Sequence, residues 1–80
     1  MKPRVVEAKA LQNHRLELAY ETGERRIFDL TPWLDKGMFQ ALKDPALFAT
    51  VQPFRNTVEW SNGADLDPDT LYEDSKPAWS

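Results

Sequence analysis

Arg15-Leu16-Glu17-Leu18-Ala19-Tyr20-Glu21-Thr22-Gly23-Glu24-Arg25-Arg26-Ile27-Phe28-Asp29-Leu30 is the stretch from which the fold can be read. Its first half alternates: Leu16, Leu18 and Tyr20 fall on one face of an extended strand, Glu17 and Ala19 on the other. The alternation resumes at Arg25, where Phe28 and Leu30 share a face with Arg26. For Leu16 and Leu18 to lie on the same side as Phe28 and Leu30, the numbers of paired residues must sum to an even value. A two-residue loop at Thr22-Gly23 fails that condition. A three-residue loop, Glu21-Thr22-Gly23, meets it, with Gly23 left-handed in a bulged hairpin.

Working outward, Val5 to Leu11 reads as a third strand, with Val6, Ala8 and Ala10 on one side and Val5, Glu7, Lys9 and Leu11 on the other. Asn13-His14 supplies the turn that joins it to the hairpin, which makes an N-terminal three-stranded meander. After Leu30 the period changes. Thr31 is placed to cap a short helical turn with Pro32 at its first position, and Gly37 ends that turn. Met38, Phe39, Leu42, Leu47 and Phe48 then keep one apolar face through a pair of helical turns broken by Pro45. Val51 to Pro53 and Thr57 to Trp60 form a second strand pair around Arg55-Asn56, with Val58 and Trp60 pointing the same way. Ser61-Asn62-Gly63 turns the chain, Asp67 caps and Pro68 opens a last helical turn, and Leu71 and Tyr72 anchor it. The expectation is an α+β fold, with residues 1–74 a single domain of short antiparallel strands and short helices packed on the sheet. Residues 75–80 are expected to be a flexible C-terminal tail.

Eighty residues suffice for one thin core, and the absence of cysteine removes both disulfides and thiolate metal sites. A reducing, cytoplasmic setting is expected. Met1-Lys2-Pro3-Arg4 followed by Val5-Val6 is too short an apolar run for a signal peptide or a membrane span. Net charge is −3 and unevenly placed: residues 1–43 carry eight basic and six acidic groups, residues 44–80 two basic and seven acidic. That balance argues against nucleic acid as a partner, because duplex binding rests on many Lys and Arg contacts to phosphate.

Tyr20 to Gly23, Phe28-Asp29-Leu30, the Phe39-to-Phe48 segment, Val58-Glu59-Trp60-Ser61-Asn62-Gly63 and Asp65-Leu66-Asp67-Pro68-Asp69-Thr70-Leu71-Tyr72 together resemble a small bacterial family, domain of unknown function 2442. The resemblance covers nearly the whole chain. It implies a cytosolic α+β domain, found alone or joined to a helix-turn-helix segment, and in some settings beside another small protein in a toxin–antitoxin arrangement. It brings no catalytic residues. No helix-turn-helix pattern follows Tyr72, so a DNA-binding role is not expected.

The acidic run Asp65, Asp67, Asp69 opens like a calcium loop, but Thr70 stands where such a loop needs glycine and Lys76 where it needs glutamate. A helix start accounts for it better, and a small-ligand or divalent-cation sensing site is the alternative reading. His14, the one histidine, is expected to be a solvated turn residue, without a second ligand for zinc or a nucleophile to serve. No enzyme activity and no cofactor are expected. Trp33 and Trp60 have the setting of core or half-core residues. Ile27 stands among charges on the outer hairpin face, Asn62 stands beside Trp60, and Trp79 lies in a proline-containing tail. These make Ile27, Trp60, Asn62 and Trp79 the candidate contacts of an interaction module whose partner is another small protein or a second copy.

Overall fold

The computed structural model describes residues 2–78. Three strands, β1 (Val5–Leu11), β2 (Arg15–Tyr20) and β3 (Arg25–Asp29), form the expected antiparallel meander. In the hairpin, Leu16 pairs with Phe28 and Leu18 with Arg26, the even-sum register. The loop is Glu21-Thr22-Gly23: Tyr20 N donates to Glu24 O at 2.9 Å, Gly23 N to Tyr20 O at 2.8 Å, and Gly23 has φ 93°. The same geometry recurs forty residues on, where Trp60 N donates to Ala64 O, Gly63 N to Trp60 O, and Gly63 has φ 88°.

Two 3-10 turns, Thr31–Trp33 and Gly37–Lys43, lead into α1 (Pro45–Phe48), followed by the β4 (Gln52–Phe54) and β5 (Thr57–Glu59) hairpin, α2 (Pro68–Asp74) and β6 (Lys76–Pro77). The sheets run β1-β2-β3-β6 and β4-β5. The fold is α+β. One face of the larger sheet is covered: Leu16, Leu18, Tyr20 and Phe28 pack with Leu30, Leu42, Phe48, Val58, Trp60, Leu66 and Leu71, all buried. The other face, carrying Glu7, Lys9, Arg15, Arg25, Asp29 and Lys76, is open to solvent.

Several local expectations are corrected. A register shift between Val5 and Glu7 lets Val5, not Val6, turn inward: Val5 pairs with Tyr20 and is buried, whereas Val6 is 54% exposed. One extra residue on a bulged strand exchanges the two faces. Thr31 is not a cap. The Asp29 carboxylate accepts from Thr31 N at 3.0 Å and Thr31 Oγ1 at 2.8 Å, so the turn starts one residue early. Met38 leaves the core face, because at three residues per turn Phe39 and Leu42 stack on one side and Met38 falls on another.

The start of the expected flexible tail is held in the fold, while residues 79–80 lie outside the described residues. Ser75 is buried, and Lys76 and Pro77 pair with Ile27 and Arg26 at the edge of β3. Asp67 does cap α2, accepting from Thr70 N at 3.1 Å, beside Pro68.

Candidate functional site

A row of rings runs from the surface to the interior. Trp33 meets Phe39 edge to face at 5.8 Å, Phe39 meets Trp60 at 6.4 Å, and Trp60 stacks with Phe48 at 6.2 Å. Its inner end is rigid: Trp60 is 1% exposed and its indole Nε1 donates to the Phe48 carbonyl at 3.0 Å. Its outer end lines a cleft of about 270 Å³ walled by Trp33, Met38, Phe39, Gly63 and Ala64, with Lys36 and Asp65 on the rim. Met38 is 55% exposed. The Trp60–Ala64 loop sets one wall, and the left-handed Gly63 places its bare backbone beside Met38, where an added Cβ would stand 3.7 Å from Met38 Cε. The Lys36 ammonium lies 5.3 Å from the Trp33 ring centroid, a cation on the ring face. Neighbouring Lys43 is bound to Asp35 at 3.1 Å.

A second, more polar depression of about 380 Å³ lies on the outer sheet face, lined by Arg15, Ile27, Asp29, Asp74, Lys76, Pro77 and Ala78. Ile27 is half-buried there, paired with Lys76 of β6 along the strand edge.

Among the described residues, the candidate contacts Ile27, Trp60 and Asn62 do not form one surface. Ile27 belongs to this second depression. Trp60 takes the core place its pattern predicts and not the contact role: it packs beneath Phe39 and does not reach the surface. Asn62 is half-buried and shapes the turn: its Oδ1 accepts from Ala64 N at 3.1 Å, next to the aromatic cleft. Trp79 lies outside the described residues. Met38, assigned to the core from its spacing, is the cleft residue that sequence reasoning missed, whereas Phe39 keeps its core contacts and lines the cleft with its outer edge. The signal available was Gly37, whose φ of 46° starts a tight turn and resets the face.

The acidic run is divided among separate tasks. Asp65 bridges Glu59 through its backbone, Asp67 caps α2, and Asp69 sits in the first turn of that helix. Among the described residues no three His, Cys, Asp or Glu side chains are grouped to hold a metal ion. His14 is not a solvated turn residue: it is half-buried at φ 55°, its ring lies 4.9 Å from Phe48, and its Nε2 atom is buried without a hydrogen-bond partner among the described residues.

The best-organised polar group is Glu24, Arg26, Tyr72 and Ser75. Arg26 faces inward from β3, its Nε donates to Ser75 Oγ at 2.6 Å and its Nη2 to Ser75 O at 2.8 Å. Its guanidinium lies 4.4 Å from the Tyr72 ring centroid. Tyr72 donates to Glu24, which holds the Glu24 carboxyl below its ordinary value and the Tyr72 phenol above its own. These side chains bond one another, and their effect is to fasten α2 and β6 to the hairpin.

No helix among the described residues is long and apolar enough to cross a membrane. None of the curated proteins matches the chain, and no solved structure does. The hairpin register, the two glycine loops and the capped α2 all fall within residues 5–77, the span matched by a single family model. The chain belongs to the family described as Protein of unknown function (DUF2442).

Proposed function

We propose that the chain is a non-catalytic protein-interaction module whose partner is another small protein, the two forming a regulatory pair of the toxin–antitoxin kind that the family resemblance implies. One observation carries the reading: Trp33, Met38 and Phe39 surround an open apolar cleft backed by a rigid, buried Trp60. Tryptophan, other aromatics and methionine are the residue types enriched at the buried centres of protein interfaces, and anchors are best placed on supports that do not move. Methionine adds a flexible, polarisable surface that adapts to a partner. The organised polar residues are engaged with one another in holding the fold, which leaves the cleft as the feature the core does not require. The absence of cysteine suits a cytoplasmic setting.

The test is capture of the tagged chain from a host lysate, side by side with Met38→Asp. The expected result is one stoichiometric companion with the wild type, lost with Met38→Asp, while both proteins melt at the same temperature. No companion with the wild type, or equal retention by the variant, removes the cleft from this role.

A further inference from the structure

We infer that the occupant of the Trp33–Met38–Phe39 cleft is a basic polypeptide segment that inserts one large apolar side chain; this rests on the interaction reading above and adds the chemistry of the partner. Size sets the first limit. A volume of about 270 Å³ lies just under the range of roughly 300–1,000 Å³ usual for small-molecule and cofactor sites, and suits a single anchor residue. The apolar walls select the anchor, and the rim selects what flanks it.

Asp65 forms one rim. The chain leaves it in extended conformation, with Asp67 at φ −61° and ψ 130°, so the buried Leu66 points inward and Asp65 and Asp67 both point out. Asp69 follows, exposed, in the first turn of α2. Glu59 stands across the bridge from Asp65. None of these four carboxylates is paired with a lysine or arginine among the described residues, although five such pairs form elsewhere. On the opposite rim the charge of Lys36 already rests over the Trp33 ring. The cleft therefore carries on its rim Asp65, a carboxylate unpaired among the described residues, where the chain enters a segment that holds Asp67 and Asp69, both exposed. A phosphate-bearing partner is repelled by that rim and a lysine- or arginine-rich one is drawn to it. The anchor supplies residence and the charges supply encounter rate and orientation.

The probe is a short synthetic peptide with one phenylalanine flanked by lysines, titrated into the full chain and followed by the amide resonances of Met38, Gly63 and Asp65. Two control peptides replace the lysines by glutamates or the phenylalanine by alanine. The expected result is binding of the lysine–phenylalanine peptide at least about tenfold tighter than either control, weakening steeply as salt shortens the screening length. In Asp65→Asn/Asp69→Asn, which leaves the Asp67 cap intact, the salt dependence flattens. Equal or tighter binding of the glutamate peptide, or affinity indifferent to salt, overturns the inference. If the basic peptide fails while the lysate companion is still lost with Met38→Asp, the interaction reading stands and this assignment of its partner falls.

Discussion

The Tyr72 hydroxyl donates to both carboxylate oxygens of Glu24, at 3.0 and 2.8 Å, and ties α2 to the end of a hairpin loop 48 residues earlier. Arg26 completes the link, bonding Glu24 at 3.3 Å on one side and Ser75 on the other. Four side chains from β3, its loop and the C-terminal segment thus replace the apolar contacts that a two-residue β6 is too short to make.

Acid sensitivity follows from this link. Donation from Tyr72, then from Thr22 and Arg26, keeps the Glu24 carboxyl below its ordinary 4.5, against a smaller opposing effect of desolvation. The unfolded chain therefore takes up the proton first. The contribution of Glu24 is fully present above its unfolded value and is lost as pH falls through its depressed folded value. Thermal melts from neutral to acid pH should show a decline whose slope is reduced in Tyr72→Phe. The same slope in both proteins would mean the bond does not bias Glu24.

At alkaline pH Tyr20 dominates. Burial pushes its phenol from 10.0 up to about 12, with Arg26 pulling the other way, and its oxygen is buried without a hydrogen-bond partner among the described residues. The unfolded tyrosine ionises first, so stability is intact below pH 10 and falls between 10 and 12. Melting in that window should be steeper for the wild type than for Tyr20→Phe, whose ring fills nearly the same space.

Gly23 isolates backbone strain from packing. Its φ is 93° and nothing lies within 4 Å of an added Cβ, so the cost of Gly23→Val is conformational alone, about 1–3 kcal/mol by denaturant titration. Gly23→Asn should lose less, since asparagine visits positive φ more readily. Equal losses for both would assign the effect to something other than the turn.

Trp60 and Met38 separate core from surface. Trp60→Ala removes a fully buried ring and the Nε1 bond to Phe48, and should cost about 3–5 kcal/mol, enough to unfold much of a domain this size. Met38→Ala, at a position 55% exposed, should stay within about 0.5 kcal/mol. A small loss at Trp60 would contradict its place beneath Phe39.

The hairpin was legible because strand side chains repeat every two residues, so a required buried face and a countable loop determine the pairing of Leu16 with Phe28. The cap at Asp67 was legible for a similar reason: proline and a capping carboxylate act within one turn of chain. The bulge at Val5 and Glu7 was not, because alternation in a single strand carries no record of where its neighbour is offset. The β6 pairing was hidden by length, as Lys76 and Pro77 have no pattern to repeat.

The aromatic cleft shows where sequence reading stopped. Met38, Phe39 and Leu42 suit an α-helical face, and only a 3-10 turn begun by a left-handed Gly37 directs Met38 outward. Trp33, Gly63 and Asp65 then reach Met38 from distant points in the chain. By itself the sequence determined what local geometry controls: strand period, loop length, caps and the balance of charge. The tertiary structure decided which side chains, freed from the core by an offset or a tighter turn, meet at one surface, because that depends on contacts between residues far apart in the chain.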